Sequence, residues 1–102
     1  YIVKMSSSSG TFEVDEKISQ ATTGSVGKIV EWDSGLSLLY FQQERFGDFG
    51  TNSTTGDNTA FSGANLITGG TSGATGTPSA TTETVTLANS NTVSLTTGYA
   101  NP

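Results

Sequence analysis

The stretch GTFEVDEKISQATTGSVGKI, residues 10–29, has the same design as a later stretch, NTAFSGANLITGGTSGATGT, residues 58–77. Their matching residues align at a shift of 49 positions (61 − 12). Each copy contains an aromatic residue, a polar step, an aliphatic residue and a turn of Gly, Thr and Ser, which are turn-forming residues. The repeat predicts two related half-units, in each of which two extended segments meet at a sharp turn. The two copies register without a gap and share these identities: Phe12 and Phe61, Ile18 and Ile67, Thr22 and Thr71, Gly24 and Gly73, Gly27 and Gly76.

The second copy departs from the first at its end, because Pro78 stands where the first copy has Ile29. A proline has no N–H to donate to a sheet ladder and is found at strand ends, at bulges and on edge strands. We therefore expect the second half-unit to lie at an edge of the sheet.

The segment KIVEWDSGLSLLYFQ, residues 28–42, shows the clearest strand pattern. Two apolar runs, Ile29–Trp32 and Leu36–Phe41, flank the polar sequence Asp33-Ser34-Gly35. Apolar runs joined by a short loop with a glycine near its end are typical of a β-hairpin. The hairpin and the repeat together supply the predicted core: Phe12, Ile18, Ile29, Trp32, Leu38, Tyr40, Phe61 and Ile67.

The composition favours short strands joined by many turns. Only 32% of the 102 residues are hydrophobic, and 13 are glycines. No stretch shows a sustained period of 3.6 residues, so no helix longer than about a turn is predicted. A chain of this length forms one domain with one small core. We expect an all-β fold, a small barrel or sandwich of short antiparallel strands with a C-terminal β extension.

The chain is predicted to divide after residue 78. Residues 1–78 form the β domain with its half-units, 10–29 and 58–77. Residues 79–102 predict a second hairpin with one thin apolar face, and such a hairpin is marginal alone. We expect it to complete a β-structure on the body of the domain or across a subunit boundary. Its apolar residues, which alternate with polar ones, are the candidate assembly residues: Val85, Leu87, Val93 and Leu95.

Residues 44–58 are expected to be the most mobile part of the chain away from its termini, because they form a long polar loop. Some of its side chains carry oxygens that suit a hard cation, but the loop lacks the spacing and the bidentate glutamate of a calcium-binding hand. We predict a solvated loop and no metal site. The oxygen-bearing residues considered are Asp48, Asn52, Asp57 and Asn58.

Charge and composition disfavour several partners and reactions. The net charge is −5 and the four basic residues are scattered, so no basic patch is predicted to bind nucleic acid. The chain has neither Cys nor His, which excludes disulfides, thiolate nucleophiles and imidazole bases. No apolar run approaches the roughly 20 residues of a membrane span, so no membrane is predicted as a partner.

Catalysis by carboxylates alone is also disfavoured. The densest acidic cluster is the stretch VDE, Val14 to Glu16, and acids in strands and turns mostly face water. We expect this cluster to keep a sheet edge soluble, and we predict no catalytic residue and no cofactor.

Three stretches of the chain resemble repeats in structural proteins of tailed phages: GTFEVDEKI, TTGSVGKIVEWDSGLSLLYFQ and FSGANLITGGTSGATGT. The similarity is to baseplate wedge and tail proteins of T-even-type phages, notably those of marine cyanophages. It covers about residues 9–77 and does not extend to the C-terminal stretch from Ser79. The best-matching positions are Phe12, Glu16, Ile18, Trp32, Asp33 and the run TGGTSGATGT, residues 68–77.

The resemblance implies a structural protein of the virion, or a fragment of one, that acts in β-mediated assembly with other virion proteins. A homo-oligomer is expected, with a trimer as the first expectation, because virion proteins around the tail axis often come in threes. The alternative is a carbohydrate-binding or adhesive β module of a phage or a bacterial cell surface. Coplanar exposed rings beside amides would favour sugar binding, and the candidate rings are Tyr40, Phe46, Phe49 and Tyr99.

Overall fold

The computed structural model describes residues 1–44, 49–51, 56, 59–87, 90–95 and 98–100. This described part is built of β-strands without helices, so the predicted all-β fold is confirmed. The strands are β1 (Ile2–Ser9), β2 (Lys17–Gln20), β3 (Ser25–Asp33), β4 (Leu38–Gln42), β5 (Ile67–Gly69), β6 (Thr75–Pro78), β7 (Glu83–Thr86), β8 (Thr92–Leu95) and β9 (Tyr99–Ala100).

Six strands close into an antiparallel barrel in the order β4-β3-β2-β5-β6-β1, because β1 also pairs with β4. Closure removes the exposed edges that an open sheet would present. Of the two predicted architectures, the barrel is therefore the one that forms. Near its start, β1 also pairs with the short last strand, β9, through Ile2 and Val3.

The predicted hairpin is present as β3 and β4, joined by residues 34–37. In this connection Asp33 accepts a hydrogen bond on Oδ1 from the N–H of Leu36 at 3.1 Å. Ser37 then takes a left-handed φ of 55°. The ladder is interrupted by a bulge between Ile29 and Glu31, which changes the face on which the later residues of β3 lie.

The repeated stretch forms two hairpins, β2–β3 and β5–β6, with the same register. Ile18 lies opposite Gly27, and their counterparts in the second copy form the same pair. The turns agree as well, because Gly24 and Gly73 have φ values of 76° and 73°. Each donates its N–H to the carbonyl oxygen of the residue four positions earlier, at 2.8 and 3.1 Å. A positive φ carries little cost only for glycine, so the repeated turn explains the repeated glycine.

The two hairpins are related by an approximate two-fold axis. β2 and β5 pair about Ser19 and Thr68, which are counterparts in the repeat. On the far side of the barrel, β1 and β4 meet about the pair Val3 and Leu39. β1 therefore holds in the second half the place that β4 holds in the first. The barrel consists of two three-stranded units, β2-β3-β4 and β5-β6-β1, and the N-terminal strand completes the second unit.

The prediction that the second half-unit lies at an edge is wrong, because β6 lies between β5 and β1. Pro78 is the last residue of β6 and lies opposite Met5. The next residue, Ser79, donates its N–H to the carbonyl oxygen of Lys4 at 2.8 Å. Hydrogen bonding to β1 resumes directly after the proline, and this is why a proline is tolerated on an interior strand.

The hydrophobic residues form two clusters. A smaller cluster lies on the outer face of β1 and β4, where Ile2, Leu38 and Leu95 are fully buried. The C-terminal hairpin, β7–β8, covers this outer face. The main core fills the barrel with Val3, Met5, Phe12, Ile18, Ile29, Leu39, Phe41, Phe61, Ile67 and Ala74.

Three of the eight predicted core residues do not belong to the buried set inside the barrel. Leu38 and Tyr40 lie on the outer face of β4, because strand neighbours alternate and the residues between and after them face inward. Leu38 is buried beneath the C-terminal hairpin, whereas Tyr40 is half-buried there. Trp32 is half-buried and packs edge to face on Phe12, with ring centroids 5.2 Å apart.

Candidate functional site

Glu16, which the sequence pattern placed in water, is buried with 4% of its surface exposed. Its Oε1 accepts hydrogen bonds from the backbone N–H groups of Thr71 and Ser72, both at 3.0 Å. Its Oε2 accepts from the Ser72 hydroxyl at 2.7 Å and from the N–H of Glu13 at 2.6 Å. The carboxylate of the first half-unit thus holds the turn of the second. We call this arrangement the Glu16 site.

The hydrogen bonds at the Glu16 site determine its ionisation. Burial alone acts to raise the pKa of this carboxyl, because it removes water from the charged form. The hydrogen bonds from Glu13, Ser72 and Thr71 outweigh burial, and the pKa of Glu16 is lowered. The carboxylate is therefore ionised at neutral pH and accepts protons only as hydrogen bonds. Each of its oxygens already accepts two hydrogen bonds, so the carboxylate is a structural acceptor and is not placed to act as a general base.

Gln20 forms a second buried polar site, which also joins the two halves. Its Oε1 accepts hydrogen bonds from the N–H of Ser62 at 3.0 Å and from the Thr23 hydroxyl at 2.8 Å. Its Nε2 donates to the carbonyl oxygen of Asn65 at 2.8 Å and to the Tyr99 hydroxyl at 3.0 Å. We call this arrangement the Gln20 site.

The two sites occupy equivalent places about the two-fold axis. In the repeat, Glu16 corresponds to Asn65, and Gln20 corresponds to Gly69. A Cβ on Gly69 would lie 2.5 Å from Oε1 of Glu16 and 2.7 Å from Oγ of Ser72. The absence of a side chain at position 69 therefore makes the space in which the Glu16 carboxylate lies. At one pair of corresponding positions, the first half has Gln20 and the second half has Gly69. The long polar side chain therefore comes from Glu16 at one site and from Gln20 at the other.

The other acids do not assemble into a site. Glu13, Asp15 and Glu31 are exposed, and Asp15 lies 3.8 Å from the ammonium of Lys28. Within the described ranges, no group of three or more Cys, His, Asp or Glu side chains is placed to share a metal ion. The same part of the chain contains no helix long and apolar enough to cross a membrane.

Most of the loop 44–58 lies outside the described residues. The predictions made for it, namely high mobility and no metal site, therefore concern a part of the chain that the structure does not describe. The oxygen-bearing side chains considered for a cation lie outside the described residues: Asp48, Asn52, Asp57 and Asn58. The candidate sugar-stacking ring Phe46 lies outside them as well.

Three of the aromatic rings considered for sugar stacking are described by the structure, and each is partly covered. Tyr40, Phe49 and Tyr99 are half-buried. Tyr1 is exposed over 52% of its surface and stacks on the buried Phe41, with ring centroids 5.6 Å apart. Among the described residues no second exposed ring lies beside Tyr1, so this part of the chain offers no flat aromatic platform.

A shallow groove of about 150 Å³ lies on the outer face of β1 and β6. Ser7 is opposite Thr77 and Ser9 is opposite Thr75, so that four hydroxyl-bearing side chains share one face. The exposed Leu66 adds an apolar side chain at its border. The groove therefore presents neutral hydroxyl groups, and the described residues that line it carry no charge.

The candidate assembly residues lie on the C-terminal hairpin and face the barrel. Leu95 is fully buried against Ile2 and Leu38. Val85, Leu87 and Val93 pack against the same cluster but are only half-buried. The described residues of this C-terminal segment thus lie on the body of the domain, which is one of the two arrangements predicted for it. The C-terminal hairpin therefore covers the smaller hydrophobic cluster only in part.

No known family model matches the chain, and no curated protein or solved structure shows significant similarity to it.

Proposed function

We propose that the chain is a non-enzymatic structural module of a virion, part of a phage baseplate or tail protein, that assembles with its partners through β-structure. One structural observation supports this function. In the described residues, every buried side-chain nitrogen or oxygen has a hydrogen-bond partner. Active sites commonly keep some polar groups strained or unsatisfied until substrate binds. Here the buried polar groups serve the architecture.

A protein of a phage tail must hold together under mechanical load, and a closed barrel suits that requirement. The chain has no cysteine and so no disulfide to hold its halves together. A closed barrel without exposed edges and two buried polar sites between its halves supply that cohesion instead. The module acts in a homo-oligomer, for which the phage resemblance suggests three copies, and contacts other virion proteins.

Labelling of particles tests the virion assignment. Antibodies raised against residues 1–78 are applied to tailed phage particles whose DNA carries the coding sequence, and gold-conjugated secondary antibody is located by electron microscopy. Gold on the tail or baseplate is expected. Gold confined to the host cell surface, or absent from particles whose denatured proteins also fail to react, would overturn the assignment.

The groove on β1 and β6 favours a second candidate, a module that binds carbohydrate. Its four hydroxyl-bearing side chains and its lack of charge suit a neutral saccharide. Binding to a glycan array that is lost in Thr75→Val and kept in Thr84→Val would support this function. Thr84 is a suitable control because it is an exposed strand threonine on the distant C-terminal hairpin. The lack of an aromatic platform in the described part of the chain makes assembly the better-supported function.

A further inference from the structure

The outer side of β7 is an open sheet edge. β7 pairs with β8 along its whole length, and β8 in turn lies against β1 and β9. Within the part of the chain that the structure describes, no strand pairs with the other side of β7. An unpaired strand side presents a row of N–H and C=O groups that can template another strand.

The hydrogen-bond pattern of the hairpin shows which backbone groups point toward this edge. The N–H of Leu87 donates to the carbonyl oxygen of Asn91 at 2.8 Å, at the closed end of the hairpin. Antiparallel partners alternate between hydrogen-bonded and non-hydrogen-bonded pairs. Val85 therefore exchanges hydrogen bonds with β8, whereas the backbone groups of Thr84 and Thr86 point away from it. These two residues present two donors and two acceptors to a further strand.

The edge lacks the features with which proteins usually block strand pairing. The sequence of β7 is Glu-Thr-Val-Thr, without lysine, proline or bulge. Its single charge, on Glu83, lies at one end and accepts hydrogen bonds from the hydroxyls of Ser79 and Thr81 at 2.9 and 3.3 Å. The centre of the strand is neutral.

The apolar face of the hairpin is also incompletely covered. Val85 lies directly opposite Val93 in the ladder, and both side chains are half-buried. A two-stranded ribbon with a thin apolar face is marginally stable, and a third or fourth strand stabilises it. A further strand beside β7 would place new side chains next to Val85 on the half-covered face.

We propose that β7 pairs antiparallel with β7 of a second copy of this chain, about a two-fold axis through Val85. In this register Thr84 and Thr86 of the partner subunit exchange both of their backbone hydrogen bonds, and the symmetric pair does the same. Val85 then lies opposite Val85 of the partner subunit, beside Val93. The result is one four-stranded sheet, β8-β7-β7-β8, that bridges two barrels.

The register also keeps the two negative charges of the paired strands apart. Glu83 lies opposite Leu87 of the partner subunit, and the two glutamates are four residues apart along the strands, or about 14 Å. This exceeds the screening length of about 8 Å at physiological ionic strength. The pairing rests on the proposed function only in that it names the partner and the edge used for β-mediated assembly. It gives pairs of copies, and a three-fold contact would require another surface.

Because the chain has no cysteine, a single introduced thiol reports the register cleanly. Opposed Cα atoms in a non-hydrogen-bonded pair are about 4.5 Å apart, within the range that a disulfide requires. We expect Val85→Cys to form a disulfide-linked dimer under mild oxidation at a rate about tenfold or more above that of Thr92→Cys. The control position lies on β8, is exposed, and is remote from the proposed axis. Equal rates for the two variants would overturn the register.

Light scattering of the full chain over a concentration series tests the edge itself. Thr84→Pro removes an N–H that points away from β8, so the hairpin ladder is kept while two intersubunit hydrogen bonds are lost. We expect the dimer dissociation constant to rise about tenfold or more. Thr84→Val keeps the N–H and should leave the dissociation constant unchanged. Circular dichroism verifies that each variant is folded, and Thr86→Pro replaces Thr84→Pro if the latter is not.

The outcomes separate this proposal from the proposed function. A wild-type chain that stays monomeric at all concentrations, or an oligomer that persists in both proline variants, overturns the β7 contact. Neither result would contradict a virion function, which the gold-labelling experiment tests separately. Label absent from the virion, with the dimer intact, overturns the virion function and not the contact.

Discussion

The two halves of the barrel share one strand frame but are held by different chemistry. In one equivalent place an ionised carboxylate, Glu16, reaches the turn of the other half beside Gly69. In the other, the neutral amide of Gln20 reaches the segment around Asn65. The frame is set by turns and register, which both copies repeat. Each polar site depends on which position supplies the long side chain, the one held by Glu16 or the one held by Gln20. The repeat does not conserve these residues, since their counterparts are Asn65 and Gly69.

The largest expected effect comes from removing the charged site. Glu16→Ala removes a buried carboxylate and leaves the N–H groups of Thr71 and Ser72 without their acceptor. We expect a loss of about 3 kcal/mol or more in the free energy of unfolding, since hydrogen bonds to charged groups are the strong ones. Urea denaturation measures it. Glu13→Ala removes an exposed acid next to the same site and should cost under about 0.5 kcal/mol; an equal loss in both variants would show that the buried carboxylate contributes no more to the free energy of unfolding than the exposed one.

The neutral site should be the weaker of the two. Gln20→Ala removes the acceptor for Ser62 and Thr23, which are uncharged donors to an uncharged group. We expect a loss of about 2 kcal/mol, smaller than for Glu16→Ala. A larger loss than that of Glu16→Ala, measured by the same urea denaturation, would reverse the comparison.

Gly69→Ala tests whether the glycine exists to make room for the carboxylate. The added methyl group would overlap Glu16 Oε1 and Ser72 Oγ, and overpacking of this kind costs about 1–3 kcal/mol. The same substitution in the Glu16→Ala background should cost clearly less, because the obstructing atom is gone. A double-mutant cycle measures this coupling. Additive effects would mean that the two residues do not act together.

The two sites should also respond to opposite ends of the pH scale. The pKa of Glu16 is lowered in the fold, so its stabilisation is present above the ordinary glutamate pKa and is lost as pH falls through the lowered value. At the Gln20 site, burial raises the pKa of Tyr99, and its hydrogen bond from Gln20 offsets this in part. That stabilisation is present below the ordinary tyrosine pKa and is lost as pH rises through the raised value.

Two variants separate these pH effects. Glu16→Gln should flatten the acid limb of the stability curve and leave the alkaline limb, whereas Tyr99→Phe should do the reverse. Unfolding free energies at a series of pH values decide this. An acid limb that is unchanged in Glu16→Gln would assign acid sensitivity to other carboxylates.

Much of the frame could be predicted from the sequence because it depends on local signals. Positive-φ glycines at equivalent turn positions and the apolar runs around Asp33-Ser34-Gly35 are visible without tertiary information. The placement of Leu38 and Tyr40 was not predictable, since it depends on how β4 registers against β1 and a bulged β3. The position of β6 was missed because nothing in the sequence shows that the N-terminal strand returns to cover it.

The Glu16 site was missed for a different reason, although one signal was present. Glu16, Ile18 and Gln20 alternate with exposed Lys17 and half-buried Ser19, so all three side chains share the inward face. Charge favours exposure, so the acidic side chain of Glu16 predicts an outward position although the period of two places it inward. Three of the four hydrogen bonds to Glu16 come from Thr71 and Ser72, more than fifty residues away, in a turn whose position only the fold reveals.

The place of β1 in the second unit has a consequence for synthesis on the ribosome. β1 is made before the other strands of the barrel and must wait for β6, since the hydroxyl of Ser6 meets the carbonyl of Thr77 across 71 positions of chain. The first unit can fold as it emerges, because its three strands are consecutive in the chain. The second unit stays open until residue 78 has left the exit tunnel, with the inward face of β1 uncovered. Barrel closure is therefore a late, long-range step of the kind that slows β-proteins, and a nascent chain stalled before β6 presents β1 to whatever strand is nearest.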